Sequence, residues 1–200
     1  MICLFGKIMK KTAETQVPVL AAIAERWSPR AYDSSYQLNN DELVAILEAG
    51  RWAPSAMNVQ PWRFSVVRRD EALAETLTKD ALFGFNAAWV PNASLVIYIS
   101  VPETTEDGSP YTIAYFDAGL AAQNMMLQAE ALGLSAHPIS GFSSENASKI
   151  LELEEGRTAI VALAVGKRAE PEVLQGSPAY DREIADRHRL PLTEVVIRGL

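Results

Sequence analysis

Two short arginine clusters stand near opposite ends of an acidic chain. "ERWSPRAY" sets Arg26, Ser28 and Arg30 at alternate positions, and "ADRHRLP" places Arg187 and Arg189 on either side of His188, in a protein of net charge -7. Guanidinium groups hold phosphate oxygens through forked, charge-assisted hydrogen bonds, and a serine hydroxyl adds a neutral donor. A third stretch, "RWAPSAMNVQPWRF" (51–64), interleaves Pro54, Ser55, Asn58, Gln60 and Pro61 between two tryptophans and offers neither a base nor a glycine. Each arginine cluster alone reads as a solvated charged face. Taken with the loop, they point to a ligand with a phosphate at one end and a planar heterocycle at the other.

Other chemistries lack their residues. There is no G-x-G-x-x-G, no P-loop and no G-x-S-x-G, so the sequence carries no signature of a Rossmann site, a phosphate loop or a serine hydrolase. His137, in a strand-like run, reads as a satisfied core side chain, and His188, among arginines, as a solvated one. Neither has metal-ligand spacing, so no metal site is expected. The single cysteine, Cys3, excludes an intrachain disulfide and fits a reducing cytoplasm. Acidic balance without a Lys/Arg run argues against a nucleic-acid partner, and no segment is apolar enough to cross a membrane. The opening "MICLFGKIMKK" lacks the parts of a signal peptide. Met1 and Met9 are both candidate starts. Residues 1–16 are expected to form a flexible extension, and 17–200 a single domain whose tail, from about 170, reaches a partner subunit.

The elements that would position these residues alternate. "VPVLAAIAERW" is apolar at helical spacing, and "NNDELVAILEAGRW" carries Leu43, Ile46, Leu47 and Gly50 on one face with Asn39 and Glu42 spaced as a capping box. Pro54 must end that helix. "RFSVVRR" predicts a strand, "DEALAETLTKDAL" a helix capped by Asp70, and "ASLVIYISV" a buried strand. "YTIAYFDAGLAAQNMMLQAEALGL" predicts a long helix ending at Gly133, apolar nearly all round and so buried on more than one side. "SAHPISGF" predicts a strand and turn, "SSENASKILEL" a helix, "AIVALAVGK" a last core strand, and the apolar "TEVVI" of the tail a strand in need of an edge. The mixture is α+β.

Four stretches then resemble, in order, the motifs of nitroreductase-family flavoproteins. "RWSPRAY" resembles the family's R-x-S-x-R opening and "APSAMNVQPWRF" its P-S-x-x-N-x-Q-P-W loop; "HPISGF" is similar to its P-I-x-G-F turn and "RHRLPLTEVV" to its basic C-terminal stretch. The resemblance implies a central mixed, mainly antiparallel sheet flanked by helices. It also implies an intertwined homodimer with an exchanged C-terminal tail, noncovalent FMN, and electrons from NADH or NADPH. Carried over residue by residue, Arg26, Ser28, Arg187 and Arg189 would hold the phosphate, with Trp27 contributing backbone. Arg30 and Asn86 would face the pyrimidine edge of the ring, where a cation favours the reduced flavin's negative charge. Pro138, Ile139, Ser140 and Gly141 would line the ring, with the Ser140 N–H near N5. Pro54, Ser55, Ala56 and Asn58 would reach the partner's FMN, with Gln60 and Trp62 supporting their loop.

The chain departs from the pattern at Ser140, where many members carry Glu, which removes a carboxylate from beside the flavin that the resemblance implies. The resemblance implies ping-pong reduction of a small electron-poor acceptor: a nitroaromatic, a quinone or an enone-like compound. Alternatives on the same fold are a flavin-binding or storage protein without turnover and a dehalogenase or flavin-consuming enzyme, the latter normally carrying an added lid.

Overall fold

A computed structural model describes residues 9–199; Cys3 and the rest of the apolar start lie outside the described residues. In chain order the helices and strands are α1 (Ala21–Glu25), α2 (Asn40–Arg51), β1 (Arg63–Arg68), α3 (Ala72–Asp80), α4 (Gly84–Ala87), β2 (Leu95–Pro102) and α5 (Ile113–Ala131). They continue as β3 (Ser135–Ile139), α6 (Ser144–Ile150), β4 (Arg157–Gly166), α7 (Ala179–Ile184) and α8 (Leu192–Val195).

The strands form one sheet in the order β1-β2-β4-β3. Every pairing among the described residues is antiparallel, with Val66 opposite Ile97, Ile97 opposite Leu163 and Ala136 opposite Val165. Within this chain the sheet is therefore antiparallel throughout rather than mixed. β2 and β4 are central, buried on both faces, which is why they read as continuous apolar runs instead of alternating ones. On one face α2 and α5 cover Ile97, Ile99 and Leu163, with Ile46 and Met125 between the layers. The other face carries Trp89, Tyr98, Leu77 and Phe142, under α3, α6 and the segment that follows α1.

Local chemistry sets the element ends. The Asn39 side chain accepts the Glu42 N–H while the Glu42 carboxylate accepts the Asn39 N–H, each at 2.9 Å, so the capping box starts α2 as expected. Gly133, at φ 73°, follows α5 and takes the left-handed conformation that ends it.

Four expectations change. α3 is capped by Glu71, not Asp70, because the Glu71 N–H turns back onto the Arg68 carbonyl and carries the helix start one residue on. The 17–27 helix shrinks to α1, since Val17 and Leu20 are exposed and find no apolar partner to hold a longer one. "TEVVI" is not a strand in this chain. It meets no sheet edge, and Pro191 leads it into the helical turn of α8, closed by Val196 N–H to Leu192 O at 2.8 Å. Finally, α5 buries only one stripe, Ala114, Asp117, Ala118, Ala121 and Met125 among it, and leaves Ile113, Tyr115 and Phe116 bare.

Candidate cofactor-binding site

After α1 the chain runs extended, a conformation that the residue before a proline favours and that Pro29 imposes on Ser28. Extended backbone alternates its side chains. Trp27 and Pro29 are buried, while Arg26, Ser28 and Arg30 lie half-buried together on the other side. The R-x-S-x-R spacing thus becomes a row of donors, with Arg26 Nη1 3.4 Å from Ser28 Oγ.

The row is held from three directions. His137 on β3 donates from Nδ1 to the Pro29 carbonyl at 2.8 Å while its ring packs on Trp89 at 4.6 Å. Glu183 of α7, 1% exposed, accepts the Arg30 N–H at 2.6 Å. Arg187 donates to the Ala24 carbonyl at 2.8 Å and the Lys11 carbonyl at 3.2 Å, and Lys11 in turn donates to the carbonyls of Glu183 and Ala185 and lies 4.5 Å over the Trp27 ring. Burial lowers the His137 pKa to about 4, so at neutral pH the ring is uncharged and bound to Pro29. Burial also raises the pKa of Glu183, although the Arg30 and Ala31 N–H groups oppose the shift.

Both arginine clusters consequently line one cavity of about 190 Å³. Its walls are Arg26, Trp27, Ser28, Arg30, Arg187 and Arg189, joined by Lys11, Arg182 and Asp186. Six cations therefore share the space with one acid. Among the described residues none of the six is in a salt bridge. The Arg26 guanidinium sits below its ordinary pKa, first because it is buried and then because Arg187 and Arg189 are close. Arg30 Nε and the Trp27 indole N–H are buried without a partner among the described residues. Crowded guanidinium groups with an orphaned N–H fit an anion with several acceptor oxygens, as a phosphate has.

Next to this cavity lies the turn after β3. Asn86 of α4 donates from Nδ2 to the Gly141 carbonyl at 2.9 Å, the Phe83 N–H donates to the same oxygen at 3.1 Å, and Leu82 pairs with Phe142. A Cβ at Gly141 would run into Asn86 Nδ2, so the close approach needs glycine. Pro138 is half-buried and Ser140 exposed, whereas Ile139 is buried in the core and has only backbone to offer a ligand. Arg30 connects the two parts: its guanidinium lies 5.8 Å over Phe85, the neighbour of Asn86.

Pro54, Ser55, Ala56 and Asn58 are elsewhere. None lines the basic cavity. Their loop passes through left-handed backbone at Met57 (φ 49°), Asn58 (φ 58°) and Gln60 (φ 52°) without a glycine, a strained path that its contacts must hold. The Ala56 N–H donates to both oxygens of Asp117, each at 3.2 Å, and the Gln60 N–H to Ser55 Oγ at 3.0 Å. Trp62 is buried beneath, and Arg157 donates to the Pro61 carbonyl. Met57 at the tip is 94% exposed.

Sequence reading alone missed Lys11, Asp117, Arg182 and Glu183. Asp117 had a signal, being the one acid in the apolar "YFDAGL", while Glu183 is one charge among many in "DREIADR" and Lys11 stands where a loose extension was expected. Among the described residues no cluster of His, Cys, Asp and Glu could hold a metal, and no helix is long and apolar enough to cross a membrane.

Comparison with known proteins adds identity. The chain matches the nitroreductase family over residues 23–98 and 82–167. It is 29% identical over 182 residues to YdgI of Bacillus subtilis (strain 168), a protein named as an NAD(P)H nitroreductase, covering 72% of this chain and 86% of that one. A solved structure described as an oxidoreductase containing FMN superposes with a TM-score of 0.84 at 30% identity over 94% of each chain. A Desulfovibrio desulfuricans protein, described as a nitroreductase in complex with FMN, gives a TM-score of 0.71 at 29% identity, covering 93% of this chain and 99% of that one.

Proposed function

The chain belongs to the nitroreductase family and is an NAD(P)H-dependent, FMN-containing enzyme of that type, and from that premise we propose that it reduces small electron-poor acceptors, nitroaromatics, quinones or related compounds, by a ping-pong mechanism. The observation that carries the reading is the cavity in which guanidinium groups from distant parts of the sequence converge with no salt-bridge partner among the described residues, beside a glycine turn.

In this reading Arg26, Ser28, Arg187 and Arg189 hold the phosphate, with the Trp27 backbone beside them. Bound FMN supplies the two-electron chemistry that no side chain of this protein offers. Arg30 places positive charge at the pyrimidine edge of the ring, fixed there by the Glu183 contact to its N–H. Asn86, with one N–H on Gly141, keeps a second N–H and its carbonyl oxygen for the same edge. Pro138, Ile139, Ser140 and Gly141 line the ring, and the Ser140 N–H rather than its hydroxyl is the donor toward N5. Donor and acceptor use one open face in turn, so the fold needs no separate dinucleotide domain.

Pro54, Ser55, Ala56 and Asn58 serve the flavin of a second copy in a homodimer. Two features support this: their loop stands clear of the basic cavity of its own chain, and the bare Ile113, Tyr115 and Phe116 of α5 supply apolar surface for a shared interface. A tail that finds no strand edge in its own chain is the part suited to exchange.

The test is the visible spectrum of purified protein followed by steady-state NADH and NADPH oxidation with a quinone added. A flavin spectrum with turnover is expected. Bound flavin without turnover would identify a storage protein instead, and colourless protein that takes up no FMN would overturn the reading.

A further inference from the structure

The molecule has a second, larger cavity that shares no lining residue with the arginine cavity. It measures about 280 Å³ and lies between α3 and the sheet, walled by Val67, Leu77, Leu82, Val90, Leu95 and Tyr98. All six walls are at most 7% exposed. The cavity is a cleft with an apolar floor whose lining reaches the exposed Glu75, the kind of concave, mostly apolar surface that small molecules occupy.

One wall is not apolar. Tyr98 is 2% exposed, and its side chain alternates with Ile97 and Ile99 so that it faces α3 while they face α5. Its ring is fixed edge-on against Phe142, centroids 5.6 Å apart and planes at 89°. The Tyr98 hydroxyl has no hydrogen-bond partner among the described residues, and burial alone pushes its pKa up to about 12. The hydroxyl is thus free to donate to a molecule that enters the cavity. The other polar side chains of the lining do not supply a partner: Arg69 is spent on the carbonyls of Tyr36, Asn92 and Ala93, Thr78 on that of Ala74, and Glu75 is exposed and makes no hydrogen bond to Tyr98.

We propose that this cavity is a binding site for a neutral one-ring or two-ring molecule carrying a single hydrogen-bond acceptor, with the apolar walls enclosing the ring and the Tyr98 hydroxyl donating to the acceptor. The site has no free cation to offer: Arg69 is engaged, no second cation lines it, and the other charged side chain of the lining is the acid Glu75, so phosphates and carboxylates are not its ligands. It stands apart from the flavin reading and does not depend on it.

Acetophenone and toluene are suitable probes, because they share a ring and differ in the carbonyl. Isothermal titration into the flavin-loaded protein should show one acetophenone per chain. Tyr98→Phe should weaken acetophenone about 2- to 12-fold, the fold-change of one hydrogen bond, and leave toluene within twofold. Ala74→Phe, which fills the cavity from α3, should abolish binding of both while circular dichroism and FMN absorbance stay unchanged. Absence of binding, or binding that Ala74→Phe does not affect, would overturn the site. If Ala74→Phe does not fold, the two-probe comparison in Tyr98→Phe decides: equal losses, or none, would remove the hydroxyl from it.

Discussion

The arginine cavity and the 54–58 loop are opposite solutions to building a binding surface. The cavity draws its donors from one chain: they come from Lys11, the extended segment after α1, α7 and the tail beyond it, and Lys11, Glu183, Arg187 and His137 tie them together. The loop is held from below, by Asp117 and Trp62, but leaves Pro54, Asn58 and Met57 exposed, uncovered by the described residues of its own chain. An enclosed cluster of cations calls for an anion, whereas an outward-facing rigid loop calls for a neighbour. The contrast teaches that one chain can carry two halves of two different sites.

The sharpest test of the comparison is to disable the cavity alone. Arg187→Ala with Arg189→Ala should weaken FMN by 100-fold or more, given about 1.5–3 kcal/mol for each hydrogen bond to a charged group, and weaken riboflavin far less, because only FMN carries the phosphate. Fluorescence quenching by both flavins reads the difference, and equal losses would break the phosphate assignment. Removing the tail from Pro191 should cost dimer and flavin together, read by sedimentation. A truncated protein that stays dimeric and fully loaded would return the tail to its own chain.

Acid should unsettle the cavity through His137. The His137 pKa is depressed to about 4 from its ordinary 6.5, so the folded state resists protonation that the unfolded chain accepts. The sign follows: this stability is fully present above about pH 6.5 and is lost as pH falls toward 4, by about 3 kcal/mol in all. Glu183, with its pKa raised by burial, runs the other way, and comparison of wild type with His137→Gln isolates the histidine. A denaturant midpoint with the same pH dependence in both would contradict it.

A smaller effect should follow on the loop side. Asp117→Ala leaves the Ala56 N–H without its acceptor and should weaken FMN and riboflavin alike, about tenfold, since the loop would act on the ring rather than the phosphate. A loss confined to FMN would merge the two regions. The smallest effect belongs to Ser140→Ala, which removes only an exposed hydroxyl and should leave flavin binding and its reduction by NADH in stopped flow nearly unchanged. A large loss of rate with FMN still bound would mean that the hydroxyl takes part.

What was legible in the sequence was whatever local chemistry decides. The capping box at Asn39 and Glu42, the stop at Gly133 and the buried runs of β2 and β4 follow from residue types and near neighbours. α3 began one residue late because a backbone turn outweighed Asp70, a competition too fine for side-chain type to settle. The tail differs for another reason: an apolar stretch becomes a strand only where it meets an edge, and residues 193–197 lie on neither β1 nor β3, the two edges of this sheet. In the site, the arginine clusters were visible as types, but their convergence came from resemblance. Lys11 and Glu183 gave no signal because their importance lies in which distant carbonyls and N–H groups they meet.

Those distant meetings have a topological consequence. Arg30 N–H to Glu183 closes a span of 153 residues and Arg187 to Ala24 one of 163, so the arginine cavity is a clasp that joins the two ends of the chain around the sheet. Closing a loop of that length costs roughly 4–5 kcal/mol of chain entropy beyond a constant, a cost met once because the polypeptide is continuous. A proteolytic nick at an exposed loop tip such as Thr105–Ser109 would leave every contact of the clasp in place, yet it would turn an intramolecular closure into the association of two fragments. The clasp, and the anion pocket with it, would then last only as long as the β2–β4 ladder keeps the two fragments together.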